Sequence, residues 1–319
     1  MYFLRFLPIY KQRIWGGRNF ESFLKRSLRS NCTFGESWEL VDRPEDQSIV
    51  ADGKHQGRSL RSIIEKDGFH LMGPHWNSSR RFPILVKWLD CHDRLSLQVH
   101  PPESVAKELK GEPKTECWYM ANRNAKASLI AGLKKGVNRE SFAKALERNA
   151  LESLVHRIPV KNGDSLFVPS GRLHAIDKGN LILEIQQNSD TTYRVYDWGR
   201  LGLDGKPRDL HQEESLKSID FSDFEPSVTP SNNQRESVVA DCNCFRIRKF
   251  NLIASDSKMF LKEGKARLLH LVEGNLTITD NQQNEYSLSA GQNALLSYSG
   301  NWKLFPNEDC VFLITDNFC

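Results

Sequence analysis

The sequence predicts a mostly β protein, an antiparallel sandwich or barrel. Short runs with strand-like alternation dominate, Gly, Asn and Asp turns break them up, and helical periodicity is confined to a few stretches. At 319 residues the chain exceeds the usual single domain, so the expectation is one large domain with a smaller companion.

The opening MYFLRFLPIYKQR is apolar enough to suggest a signal peptide, but Arg5 interrupts it and no small-x-small cleavage site follows, so it reads as a buried first strand. SLRSIIEKDG, from Ser59, reads as a short helix ended by Gly68. FPILVKWLD reads as a strand; Lys87 is unusual there and either points into a cavity or is a paired structural lysine. In LSLQVHPP, Leu95, Leu97 and Val99 share one face and Ser96, Gln98 and His100 the other, and Pro101 and Pro102 stop the ladder where His100 is presented. SVAKELKG is a helix ended by Gly111, and ASLIAGL is a strand. Over residues 139 to 155, Phe142, Ala145, Leu146, Leu151, Leu154 and Val155 recur at helical spacing after an Asn138 cap. That helix is expected to cover one barrel end, with its charged face in solvent.

DSLFVP and LILEIQQ follow as strands, and residues 217 to 240 turn polar, with two prolines and two asparagines, which marks a domain boundary. Beyond it FRIRKFNLI, RLLHLVEG, LTITD, NALLSY and CVFLITD are all strand-like. A weak internal repeat links the two parts. Residues 163 to 174, GDSLFVPSGRLH, have the form G-x5-P-x-G-x2-H: a turn glycine, a strand, a proline-glycine bend and a histidine delivered at the bend. Residues 291 to 302, GQNALLSYSGNW, occupy the same frame, with Ser297, Ser299 and Trp302 in place of the proline, second glycine and histidine. A duplicated barrel with one working site and one structural copy accounts for this.

A formal charge of +4, with basic residues spread along the chain, gives little support for a nucleic-acid surface and leaves a small anionic substrate open. No run approaches the roughly 20 apolar residues of a transmembrane helix. Seven cysteines, at 32, 91, 117, 242, 244, 310 and 319, make a poor disulfide framework and point to a reducing cytoplasm. Cys242 and Cys244 have one residue between them and no second pair, so they read as ordinary strand residues rather than a zinc knuckle.

Four side chains stand out as possible metal ligands: Gln98 and His100 on one strand, Glu116 in KTECWY and His174 in VPSGRLHAI. Two imidazoles, a carboxylate and an amide or water suit zinc or iron. Taken singly, each histidine reads as a satisfied structural residue sooner than as a ligand, since their separation is no metal signature.

FPILVKWLDCHDRLSLQVHP, KTECWY, VPSGRLHAI and above all LEIQQNSDTTYRVYDWGR resemble the type I mannose-6-phosphate isomerases of the shorter bacterial class, and with IWGG and GESWEL the resemblance spans most of residues 10 to 215. It implies cupin (jelly-roll) barrels, with a larger catalytic one over 1–225 that has a helical insertion at about 138–157; the smaller C-terminal one over 226–319, without a metal site, is inferred from the repeat alone. It also implies one zinc ion per chain held by His100, Glu116 and His174, with Gln98 a possible fourth ligand, a hexose phosphate substrate, and Arg194 at the arginine the family treats as catalytic. Arg172 and Lys178 depart from the family pattern, Arg172 at a loop position expected to be uncharged and Lys178 where many cupins place an asparagine.

Interconverting an aldose and a ketose moves a proton between C1 and C2 through an enediol, whose oxyanion needs positive charge. A guanidinium is permanently charged, so Arg194 is assigned to the enediolate or phosphate, with an ion pair to Asp190 or Asp197 as the structural alternative. Lys114, two residues before Glu116, is the candidate base if a dication lowers its pKa; metal-bound hydroxide is its rival, and a solvated lysine is the plain reading. Trp15, Trp38 and Trp118 read as core. A cupin oxygenase with a two-histidine, one-carboxylate iron site and a non-catalytic sugar-phosphate-binding cupin are the alternatives.

Overall fold

The structure, a computed structural model, describes residues 1–124, 126–261 and 265–318, with Arg123 described by its backbone alone. The chain divides into two compact units. One comprises Tyr10–Trp38 and Val86–Ser231; the other joins Met1–Ile9, Glu39–Leu85 and Asn232–Cys319, of which Cys319 lies outside the described residues. This differs from the two consecutive blocks expected at 225/226, because segments 1–9 and 39–85 cluster with the C-terminal part. The cause is non-local bonding: Phe3 and Leu4 pair as a strand with Leu296 and Leu295, and Tyr298 N donates to Leu71 O at 2.8 Å. The N-terminal stretch is accordingly two short strands in different sheets, Phe3–Leu4 and Ile9–Lys11, rather than one.

In the unit holding residues 86–231, a five-stranded sheet runs in the order Tyr193–Tyr196, Leu97–Val99, His174–Ile176, Ser128–Leu133, Val155–Pro159. It faces a six-stranded sheet in the order Ile9–Lys11, Glu36–Leu40, Ile84–Cys91, Asn180–Gln187, Glu116–Arg123, Ser165–Val168. Period-two alternation sorts their side chains. Leu89, Trp118, Met120, Leu129, Ile176 and Ile182 pack between the sheets. Leu97, Val99, Ile130, Ala175 and Val195 point the other way, onto a second cluster that contains Phe142 and Leu146 of the helix Arg139–Glu147. That helix therefore covers the outer face of the five-stranded sheet rather than a barrel end.

Asn138 caps it as expected, in a reciprocal capping box with Ser141. It stops at Glu147, however, because Asn149 takes the left-handed conformation (φ 54°). Leu151 then lies in a 3₁₀ turn and Val155 in a strand, so their helical spacing reflects burial against one surface rather than one helix. The Ser59-capped helix departs in the opposite direction, running from Leu60 to Met72 through Gly68 with a kink at Asp67. The helix expected in SVAKELKG is a single turn, Glu103–Ala106, followed by turns that close at Gly111.

The unit holding the C-terminal residues has its own six-stranded sheet (Phe3–Leu4, Asn293–Leu296, Arg267–Glu273, Cys310–Asp316, Arg246–Leu252, Glu236–Asp241) and a four-stranded one (Lys258–Phe260, Trp302–Pro306, Asn275–Asp280, Glu285–Ser289). Its core is aromatic and aliphatic, with Phe250, Leu269, Ile278, Trp302 and Phe312 fully buried. The sequence repeat is matched in three dimensions. Gly163 and Gly291 both adopt positive φ (81° and 85°); a strand starts two residues later in each, at Ser165 and Asn293, and the next strand begins on His174 in one and Trp302 in the other. Where His174 offers nitrogens to a site, Trp302 is core, its Nε1 donating to Ser297 O at 3.1 Å.

Cys242 and Cys244 lie in the bend after Glu236–Asp241, not in the strand, and Cys242 N donates to Phe245 O at 3.0 Å. All six described cysteines are free, and among the described residues no helix is long and apolar enough to cross a membrane.

One buried group in this unit makes stability depend on pH. His270 lies between Asn293 Oδ1 (2.8 Å) and Thr315 Oγ1 (3.0 Å), and burial pushes its pKa down to about 4. The unfolded chain takes up a proton near pH 6.5 while the folded one does not, so this group's contribution is present above about 6.5 and is lost as pH falls toward about 4. Denaturant titrations across that window should show a fall in unfolding free energy that is shallower in His270→Leu.

Candidate active site

Alternation places one set of side chains on the inward face of the larger barrel, around a cavity of about 550 Å³. Gln98 projects inward between the outward Leu97 and Val99; Arg194 does so between Tyr193 and Val195, and Glu184 lies two residues from the inward Ile182. Leu95 departs from the expected face: it precedes the strand and joins the inner cluster. His174 pairs in register with Gln98, and Gln186 with Glu116, which brings the predicted ligands from separate strands together.

His100, Glu116 and His174 are all buried, and one donor atom from each lies within 4.8 Å of the others. Backbone carbonyls fix both rings: His100 Nδ1 donates to Thr191 O at 2.9 Å and His174 Nδ1 to Arg172 O at 2.8 Å. With Nδ1 carrying the hydrogen, each Nε2 lone pair is turned inward, 3.6 Å from a Glu116 oxygen. Burial keeps the rings neutral, lowering His174 and, helped by the Lys114 charge, taking His100 down to about 3. Glu116 is ionised: burial would raise its pKa, but Lys114, His100 and His174 together outweigh burial and hold it well below the usual carboxylate range. Lys114 Nζ takes Oε2 at 2.5 Å, and Oε1 is buried with no hydrogen-bond partner. Two inward imidazole nitrogens and one unsatisfied carboxylate oxygen form a group that fits a divalent metal ion. Gln98 stands beside it, Nε2 at 3.3 Å from His174 Nε2.

Lys114 is 3% exposed, so it is no solvated lysine. Burial would lower its pKa, but Glu116 and Glu184 outweigh burial and hold it above the ordinary lysine value, opposite to the lowering expected beside a dication. Lys114 belongs to a buried ladder of alternating charge. Glu184 Oε1 is 3.8 Å from Lys114 Nζ and 3.5 Å from Lys87 Nζ, and its Oε2 accepts from Trp118 Nε1 at 3.0 Å. Lys87 lies over the Trp38 ring, 4.9 Å from its centroid; Glu36 accepts from Trp38 Nε1 at 2.7 Å and binds Arg13 through two hydrogen bonds of 2.9 and 3.0 Å. Burial would raise Glu36, yet Lys87 and Arg13 bring it down to about 2.

Lys87 thus both lines the cavity and is paired. Arg13, Glu36 and Glu184 were not singled out from sequence; a charge at an inward strand position was the available signal, and only Lys87 was read that way. Trp38 and Trp118 are core, whereas the mostly buried Trp15 also touches the cavity.

Arg194 enters the cavity from the strand Tyr193–Tyr196. Its NH1 donates to Asp209 O at 2.7 Å and its Nε is buried without a partner. It makes no ion pair with Asp190 or Asp197; Asp197 is held by Arg200 and Arg208 instead, at 2.8 and 2.5 Å. Arg172 is structural, bidentate to Asp223 at 2.8 Å through both nitrogens, and Lys178 lies outside the main cavity, with Asn180 tying the loop to Asp177 O at 2.9 Å.

A mostly β cupin fold with a buried His-Glu-His group beside the cavity residues Lys114 and Gln98 defines the class, a cupin with a site able to hold a metal. Residues 3–130 match the family model of the phosphomannose isomerase type I catalytic domain. Mannose-6-phosphate isomerase ManA of Bacillus subtilis is 37% identical over 316 residues, 97% of each chain, and the mannose-6-phosphate isomerase of Streptococcus mutans is 33% identical over 289 residues, 89% of each. The crystal structure of mannose 6-phosphate isomerase from Bacillus subtilis superposes with a TM-score of 0.89 at 27% identity over 99% of both chains. That from Salmonella typhimurium, at 16% identity and a TM-score of 0.77 over 99% of both chains, shares the fold. The chain belongs to the type I phosphomannose isomerase family.

Proposed function

We propose that this protein interconverts mannose 6-phosphate and fructose 6-phosphate through an enediol, with one zinc ion per chain. The observation that carries the reading is the buried His100, Glu116 and His174 group in contact with Lys114 and Gln98, which line one cavity together with Arg194, in a chain of this family. The two Nε2 atoms and Glu116 Oε1 would hold the ion, and Gln98, turned over about its terminal bond, would present Oε1 as a fourth ligand. Zinc bound there would supply positive charge beside the sugar oxygens at C1 and C2.

The chain's own groups account for the rest. Lys114 is assigned the proton that moves between C2 and C1. In the arrangement described it is the acid form, and to act as base it must first yield a proton, for which Glu184, 3.8 Å away and itself raised in pKa by burial and by Glu116, is at hand. Arg194 carries a fixed charge for the enediolate or the phosphate. The inward Trp15 and Leu89 exclude water from one wall of the cavity. A cytoplasmic location accords with the free cysteines.

Coupled turnover of mannose 6-phosphate by purified protein, measured before and after metal stripping and zinc return, tests the proposal. Activity should disappear with the metal and return with zinc. Full activity after exhaustive chelation would refute zinc dependence; oxygen uptake with ferrous iron and no isomerisation would favour an oxygenase; sugar-phosphate binding without turnover would favour a binding module.

A further inference from the structure

The larger barrel unit has a second cavity, of about 390 Å³, which shares no lining residue with the first. Five cations line it, Arg94, Lys126, Arg157, Lys178 and Arg200. Carboxylates answer the arginines: Asp177 takes Arg94 Nε at 2.6 Å and Arg157, Glu152 takes Arg94 NH1 at 2.9 Å, and Arg200 reaches Asp93 at 3.4 Å and Asp197 at 2.8 Å. Nothing answers the lysines. Among the described residues neither the Lys126 nor the Lys178 ammonium has an ion pair or a hydrogen bond, so the cavity keeps uncompensated positive charge on two separate loops.

A strained residue forms part of the wall. Trp198 has φ of 59°, in the left-handed region that is costly for a bulky side chain, and it is held there by Nε1 donating to Leu95 O at 2.6 Å and by the Arg94 guanidinium 4.4 Å from its ring centroid. Such strain persists where the surroundings over-determine it, as at ligand sites. A space of this size, ringed by guanidinium and ammonium groups from different elements, suits a compact multivalent anion with oxygens directed to several sides. Asp197 connects it to the first cavity, since the carboxylate that holds Arg200 also holds Arg208, which lines that cavity.

We infer that this cavity is a second anion site that binds a phosphate group, either free or as a small phosphate monoester. Calorimetric titration of inorganic phosphate and, separately, glycerol phosphate into the full chain at fixed ionic strength tests it without recourse to turnover. Arg194→Ala should retain one binding event. Lys126→Ala/Lys178→Ala should weaken that event by roughly tenfold or more, while a control removing Lys54 and Lys66 leaves it unchanged. The probe with the lower Kd identifies the source of the phosphate. Binding lost in Arg194→Ala, or equal in the Lys126/Lys178 and control variants, would overturn the inference, whatever the outcome of the isomerase assay.

Discussion

Glu116→Gln should reduce turnover by roughly 10³-fold or more and also destabilise the fold by about 3–5 kcal/mol. The first effect follows from removing the ionised oxygen at the centre of the His100, Glu116 and His174 group. The second follows from Lys114, whose buried ammonium would lose its ionised partner at 2.5 Å and keep the neutral His100 Nε2 at 3.1 Å and the Glu184 carboxylate at 3.8 Å. The two effects separate in the double variant Glu116→Gln/Lys114→Met. Removing the stranded charge should recover most of the stability, read by chemical denaturation, while activity stays lost. A single variant as stable as wild type would show that Glu116 does not hold Lys114 in this way.

Arg194→Ala should lower kcat/KM by about 10²–10³-fold with little change in unfolding free energy. Its described side-chain tie is one hydrogen bond to Asp209 O, with Nε left unsatisfied, so its removal breaks no network. The kinetic split assigns its role. A fall in kcat places the guanidinium at the developing enediolate; a rise in KM alone places it on the phosphate, bound equally in ground and transition states. Arg194→Lys should recover only part of the loss, since an ammonium restores the charge and not the planar fork.

The individual elements were legible because hydrophobic pattern is local. Runs such as FPILVKWLD and CVFLITD coincide with strands, Ile84–Cys91 and Cys310–Asp316, because a short apolar run buried on both faces is itself a local signal. The interleaved division of the chain was not, because pairing of Phe3 with Leu296 leaves no mark in either local pattern. At the site, the candidate ligands stood out by residue type, and only a resemblance joined them into one set; His100 and His174 meet across strands, and their separation in sequence carries no metal signature. The ladder from Arg13 through Glu36, Lys87 and Glu184 was harder still. Each member, read singly, is an isolated charge, and only the folded unit shows that they alternate in sign and compensate one another.

The pairing of Phe3–Leu4 with Leu295–Leu296 also bears on how the protein is made. Translation proceeds from one end, at roughly 5–20 residues per second, and domains generally fold as they emerge. The unit that contains Val86–Ser231 has all its segments once Ser231 is out, but Phe3–Leu4 must wait until Leu295 and Leu296 are made before its partner exists. Until then the nascent chain carries an unpaired β edge, the feature most prone to join a neighbouring chain. A chain broken off before Leu295 therefore loses more than the missing residues, because Phe3–Leu4, made long before, is left without its partner strand.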